Sequence, residues 1–375
     1  MKTAKTLFLF CLTMVFCLGI TTLGIAEIKI GVIMPMTGAI AHIGDACVQG
    51  IQIAVDEVNA QGGIKGEKVT FKLEDSKSDP KEAVTAVSKL IEVDKIKILY
   101  GPDRSSGALA CKPIIAAANA VTILPVSTHP DIPGASQGVF RTCPGDEIAG
   151  VVAARLAKEL NLRKTATLYE NTDYGKGLSD SFVNKAKTLG ISVPITEKFT
   201  PQDQEFRTQL TKIKATKVDG LWMVATSEVP NIANQANLLK LNAKILANES
   251  AFDPKFLERG GKDMEGMYFV SPAFYEESPD PATQKFIKAF KAKFPNQPVR
   301  MYAAEGYEAM AALLEAIKRK GTDPMEIRKG ILSLKNFPGP LGPITILPNG
   351  DVEKPFGIFQ VENSKFVFKK LLGVK

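Results

Sequence analysis

Histidine is nearly absent from this chain: His42 and His129 are the two among 375 residues. So little imidazole leaves scant material for a nucleophilic triad or a histidine-built metal site. No G-x-x-x-x-G-K-[ST] loop occurs, and no G-x-G-x-x-G follows a strand, which removes the usual phosphate cradles. The 47 basic residues exceed the 40 acidic ones, yet they form no basic run and no patch interleaved with aromatics. Nucleic-acid binding therefore finds no support. The one long apolar run, Leu7–Ile20, is too short to span a bilayer. Neither a metal nor a cofactor is expected.

That apolar run has a different purpose. Lys2 and Lys5 precede it, and small residues stand at Gly24 and Ala26, three and one positions before a cleavage point. These are the parts of a secretory signal peptide cut after Ala26, so an exported mature protein is expected. Neither Cys11 nor Cys17 follows the Leu-small-small pattern of a lipoprotein site, so a free protein is expected. Removal leaves about 349 residues, enough for two domains that each bury a core. Taking Lys2 and Lys5 from the 47 basic residues leaves 45 against 40 acidic ones. Cys47, Cys111 and Cys143 remain, an odd number, so at least one thiol is free and disulfides are not the framework.

The body alternates strand and helix. Strand Ile28–Met34, helix Val48–Ala60, strand Lys68–Leu73 and helix Pro80–Val93 open the series. A strand-like piece at Gly138–Thr142 interrupts it. A second series then runs through helix Asp146–Leu160, strand Thr165–Tyr169, helix Tyr174–Leu189 and strand Ile191–Thr196. Helix Asp203–Ala215, strand Gly220–Val224, helix Glu228–Leu241 and strand Lys244–Ala247 complete it. The tail is read as helices at 282–293, 303–319 and 324–334, with strands at 356–361 and 365–371. Asn349-Gly350 between apolar runs signals a hairpin. Two βα series parted near residue 143 predict two doubly wound α/β lobes.

The stretch from Lys97 to His129 is the most telling. Ile98–Tyr100 and Val121–Leu124 are short apolar strands around an alanine-rich helix. Ser105 and Ser106 stand where the helix begins, and Ser127 and Thr128 follow the second strand. In a parallel α/β sheet, ligands bind beyond the carboxyl ends of strands, where such turns converge. A helix N-terminus suits a carboxylate, and the hydroxyls add oriented donors. A plainer reading is that Ser105 and Ser106 cap the helix.

Gly31-Val32-Ile33-Met34-Pro35-Met36-Thr37-Gly38, Gly44-Asp45 and Gly62-Gly63-Ile64-Lys65-Gly66 come first in an ordered set of landmarks. Asp79-Pro80, Phe140-Arg141-Thr142, Tyr174-Gly175 and Gly342-Pro343 complete it. Over essentially the whole mature chain this set resembles the periplasmic branched-chain amino-acid-binding proteins, solute receptors of ABC importers. The resemblance implies two Rossmann-like lobes joined by a three-segment hinge, the type I periplasmic binding protein fold. The hinge would cross near 141–146, 270–275 and 349–353. Lobe one would be 27–144 plus 272–349, and lobe two 145–271 plus 350–375.

The resemblance also implies a site. The carboxylate-binding serine matches Ser105, the backbone contact Val126, and the second hydroxyl Thr128. A ligand-facing tyrosine matches Tyr174, and the carboxylate that holds an ammonium matches Glu249. Two further family tyrosines fall on Ile43 and Thr226, so the side-chain pocket is remade. The family's disulfide cysteines fall near Ser78 and on Arg104, and both are missing. Arg104 would either hold a second acid group bidentately or pair with Asp103 on the surface, the latter being preferred. Trp222 is expected in a lobe core rather than the pocket. The implied function is a monomeric binding protein for a small amino-acid-like carboxylate, most readily a branched-chain or other hydrophobic amino acid, serving a membrane permease. An aromatic or organic acid, an amide, or a ligand-sensing receptor module of the same fold are the alternatives.

An enzyme reading has one motif, Gly134-Ala135-Ser136-Gln137-Gly138. The G-x-S-x-G elbow needs a strand before its serine and a helix after it. Here a strand follows and His129–Pro133 precedes, which predicts a loop. His129 is likewise read as a loop residue.

Overall fold

A computed structural model describes residues 27–354 and 356–373. The expected signal peptide, residues 1–26, lies outside the described residues. The first series comprises β1 (Glu27–Met34), α1 (Ala41–Ala60), β2 (Lys68–Asp75), α2 (Pro80–Ser88), β3 (Ile98–Tyr100), α3 (Ser105–Ala117), β4 (Val121–Leu124) and β5 (Val139–Arg141). The second comprises α4 (Asp146–Glu159), β6 (Thr165–Glu170), α5 (Asp173–Thr188), β7 (Thr196–Phe199), α6 (Arg207–Ala215), β8 (Gly220–Val224) and α7 (Val229–Leu238). It continues through β9 (Lys244–Asn248), α8 (Pro254–Gly260) and β10 (Tyr268–Pro272). The tail holds α9 (Pro281–Lys293), α10 (Met301–Lys320), α11 (Pro324–Leu332), β11 (Phe356–Glu362) and β12 (Lys365–Leu372).

Two sheets result. The first has five strands in the order β2-β1-β3-β4-β5, all parallel. The second has seven, β12-β11-β10-β9-β8-β6-β7. It is parallel from β7 to β10 and antiparallel at the β10–β11–β12 edge. Central strands read as unbroken apolar runs because both faces are covered: Val121–Leu124 and Gly220–Val224 are buried throughout. Trp222 lies in the core beneath the second sheet's helices, stacked on Phe182 at 5.7 Å between ring centroids.

Helices α1 and α10 pack against each other over the first sheet and carry part of the cleft wall. Their approach depends on two glycines. A Cβ on Gly50 would lie 2.0 Å from the Ala303 carbonyl oxygen, and one on Gly306 would lie 2.3 Å from that of Cys47. Helix α2 starts where Asp79 accepts bonds from the N–H groups of Lys81 (2.7 Å) and Glu82 (3.2 Å), with Pro80 in the first turn.

The chain passes between the sheets after β5, after β10 and before β11. Arg141, fully buried, joins the first and third of these passages. Its Nε donates to Asp351 Oδ1 at 2.6 Å and its Nη2 to Oδ2 at 2.8 Å, a bidentate pair. Lys354 and Glu308 form a second buried ion pair linking the third passage to α10.

Several elements depart from expectation. Helix α1 begins at Ala41 rather than Val48 and takes in Gly44, which packs against the Pro35 carbonyl. The helix expected over Pro80–Val93 ends at Ser88 and finishes as a single π-turn, Lys89–Val93. Strand β7 spans Thr196–Phe199, not Ile191–Thr196, and α6 starts at Arg207, not Asp203. Helix α7 ends at Leu238. The Asn349-Gly350 turn closes with Gly350 N–H donating to the Leu347 carbonyl, yet it joins no long strands. The hairpin of the tail is β11–β12, turned by Asn363 and Ser364 at φ of 52° and 57°. All three described cysteines are free and buried. No described helix is long and apolar enough to cross a membrane.

Candidate ligand-binding site

On the first-sheet side, β3 and β4 end beside one another and their turns are locked together. Ser127 Oγ donates to the carbonyls of Pro102 (2.9 Å) and Asp103 (2.7 Å). Ser105 is the first residue of α3, and the N-cap residue Arg104 makes no side-chain capping bond. The first N–H groups of this helix thus lack an intrahelical acceptor and stand at the positive end of its dipole. Ser105 is buried, and its Oγ accepts from the His129 N–H at 3.3 Å. Thr128 is gripped by its backbone: its carbonyl accepts from Arg141 Nη1 at 2.6 Å and from the Asp146 N–H at 2.9 Å. Its buried hydroxyl lies beside the Asp146 carboxyl, and burial raises that acid's pKa against the hydrogen bond from Thr128.

On the second-sheet side the polar groups are already knit together. Tyr174 near the start of α5 donates its hydroxyl to Glu249 Oε1 at 2.8 Å and receives Asn248 Nδ2 at 2.6 Å. Thr226 Oγ1, just past β8, lies 3.3 Å from Glu170 Oε2 and 3.2 Å from Ser250 Oγ. One atom is left out: Glu249 Oε2 is buried without a partner. Burial pushes the Glu249 carboxyl up from its ordinary pKa, against the hydrogen bond from Tyr174.

The two faces meet around a cavity of about 60 Å³. All the expected residues line it: Ile43, Arg104, Ser105, Val126, Thr128, Tyr174, Thr226 and Glu249. Ile43 and Thr226 are both buried. Across the cavity, Tyr302 OH of α10 donates to the Glu249 carbonyl at 3.3 Å.

Arg104 departs from the preferred expectation. It does not pair with Asp103 on the surface; its Nη2 reaches across to Glu170 Oε1 at 3.5 Å. Asp103 is buried instead and receives Ser76 Oγ at 3.0 Å, burial pushing its carboxyl up to about 6. Ser105 is no cap, since it sits inside the helix rather than before it. His129 lies outside this cavity, its Nδ1 accepting from the Asp131 N–H at 3.2 Å. Ser136 lies exposed in a short 3-10 turn with no strand leading into it, so the hydrolase elbow is not formed.

Sequence reasoning missed Glu170, Glu305, Tyr302 and Asp103. Glu170 ends β6 as Glu249 follows β9, so the same strand-end rule would have found it. Glu305 is an acid in the otherwise buried run of α10, and burial holds its carboxyl well above the usual range. Among the described residues no group of three or more His, Cys, Asp or Glu is placed to hold a metal ion.

A sequence profile of the periplasmic binding protein family matches residues 27–365. The chain is 31% identical over 361 residues to the Leu/Ile/Val-binding protein BraC3 of Rhizobium johnstonii, covering 95% of this chain and 97% of that one. Its fold superposes on a leucine-binding protein, LivK, of Thermotoga maritima with a TM-score of 0.87 at 32% identity, covering 92% of this chain and 99% of that one. The branched-chain amino-acid transporter binding protein LivJ of Streptococcus pneumoniae, solved with isoleucine, gives 0.85 at 25% identity, covering 92% and 99%. These relatives are binding proteins rather than enzymes.

Proposed function

The chain belongs to the periplasmic binding protein family, and from that premise we propose that it is the periplasmic solute-binding component of an ABC importer, clamping an α-amino acid between two lobes. Lobe one is 27–144 with 272–349, lobe two 145–271 with 350–375, and the mature chain begins after Ala26. One observation carries the reading. Glu249, with a buried carboxylate oxygen lacking a partner, lines the cavity from one side, and Thr128, its hydroxyl buried beside the open start of a helix, lines it from the other. A hydroxyl beside an open helix N-terminus suits a carboxylate, and a lone carboxylate oxygen suits an ammonium. An α-amino acid carries both groups on one carbon. Ser105, Thr128 and the Val126 N–H take the carboxylate, and Glu249, oriented by Tyr174, takes the ammonium. Closure on the ligand presents the joined lobe surfaces to the permease.

A thermal-shift screen followed by calorimetric titration tests this. A ligand that binds only the folded state adds about 2.7 kcal/mol at a hundred times its Kd. The expected result is stabilisation by at least one amino acid and none by its methyl ester, which lacks the carboxylate. Equal stabilisation by acid and ester would overturn the proposal.

A further inference from the structure

The anchors leave open what side chain the ligand carries, and the cavity wall beyond them is unusual for a site of aliphatic ligands. Ile43 and Thr226 flank the space where the resemblance places two aromatic rings. Thr226 does not stand alone there. Its Oγ1 lies 3.3 Å from Glu170 Oε2, and Glu170 Oε1 lies 3.5 Å from Arg104 Nη2. Thr172 Oγ1 also reaches Glu170 Oε1 at 3.1 Å. The wall therefore continues from a hydroxyl to a carboxylate to a guanidinium, spanning both sides of the cleft. Glu170 is 2% exposed, so this charge is held largely out of water. The Arg104 guanidinium is otherwise thinly used: Nη1 donates to the Ser78 carbonyl at a long 3.4 Å.

We propose that Arg104, Glu170 and Thr226 form a polar side-chain subsite, so that the ligand is an α-amino acid whose neutral side chain both donates and accepts hydrogen bonds. This rests on the amino-acid reading of the anchors. A side-chain carbonyl or hydroxyl oxygen accepts from Arg104, and its N–H or O–H donates to Glu170. An acidic side chain would meet Asp103, Glu170 and Glu305 against the one arginine. A basic side chain would meet Arg104 itself. An aliphatic side chain would strip water from the ion pair and return no hydrogen bond, and sites built to bond a polar group reject analogues lacking it far more strongly than apolar sites reject isosteres.

The test is calorimetric titration with near-isosteric pairs, threonine with valine and asparagine with leucine, together with alanine, glutamate and lysine. The expected result is that threonine or asparagine binds at least about tenfold more tightly than its aliphatic counterpart. The double variant Arg104→Met with Glu170→Leu should lose that preference, binding threonine and valine within about threefold of one another. Valine and leucine binding as tightly as their polar counterparts would overturn the subsite and leave the anchors standing, as would a preference for glutamate or lysine. Failure of every amino acid, alanine included, would overturn the anchors and the subsite with them.

Discussion

The two faces of the cleft solve opposite electrostatic problems. The first-sheet face offers neutral donors, an uncapped helix start with Ser105 and Thr128, set among Arg104 and the buried acids Asp103 and Glu305. The second-sheet face is acidic and internally bonded, with Glu249 braced by Tyr174 and Glu170 by Thr226. Neutral donors lose little when the cleft is empty, because water can serve them. A buried carboxylate is costly until a cation arrives, and burial raises the Glu249 pKa accordingly. If Glu249 meets an ammonium, it is the group whose state changes on binding, while the helix start opposite it is ready beforehand.

Breaking the hinge should have the largest effect, because it holds the two faces in register. Asp351→Ala leaves Arg141 buried without its bidentate partner, and severing a buried pair costs about 3–5 kcal/mol. Urea denaturation should show that loss. Because Arg141 also holds the Thr128 carbonyl, amino-acid affinity should fall with it.

Glu249→Gln comes next. Removing one member of a buried, hydrogen-bonded charge pair costs about 2–5 kcal/mol, so amino-acid affinity should fall at least about thirtyfold by calorimetry. Arg104→Ala separates ligand classes: for an α-amino acid it should weaken binding of a polar side chain such as that of threonine while leaving the dependence on Glu249 intact. A severe loss at Arg104 with none at Glu249 would mean that the ligand is an acid lacking an amine.

On the donor face, Ser105→Ala removes one charge-assisted hydrogen bond worth roughly 1.5–3 kcal/mol, so binding should weaken about ten- to a hundredfold. The melting temperature of the empty protein should scarcely change, since Ser105 Oγ serves the fold only by a 3.3 Å contact with the His129 N–H.

The smallest effect is a proton count. A carboxyl whose folded pKa is raised binds more protons folded than unfolded, so it costs stability as pH climbs from the ordinary carboxylate range through the raised value. Glu249 should therefore make the empty protein less stable over that window. An incoming ammonium favours the ionised form. Affinity should rise with pH through the raised pKa and then level off, and binding should release protons below the plateau. Titration in buffers of different ionisation enthalpy would show this, and Glu249→Gln should abolish it.

The fold was legible where burial on both faces writes unbroken apolar strands between periodic helices, as at Val121–Leu124. It was less legible where long-range packing overrides local signals. The helix expected from Val48 starts at Ala41 and takes in Gly44, where a Cβ would lie 2.1 Å from the Pro35 carbonyl oxygen. Asn349-Gly350 reads as a hairpin and turns only a short one, a single bridge of Ile346 to Val352, while its Gly350 carbonyl accepts from the Arg141 N–H at 3.1 Å. The residues expected at the site do line one cavity, because strand-end turns gather them on each face. Glu170, Glu305 and Asp103 were not legible, since an isolated acid in sequence looks solvated. Only the meeting of the faces shows each to be enclosed.

The central claim is that one carbon presents a carboxylate to the donor face and an ammonium to Glu249. Calorimetric titration of alanine beside propanoate, its counterpart without the amine, tests it most directly. The account predicts that alanine binds at least about thirtyfold more tightly. Propanoate binding as tightly as alanine, or alanine failing to bind, would contradict it.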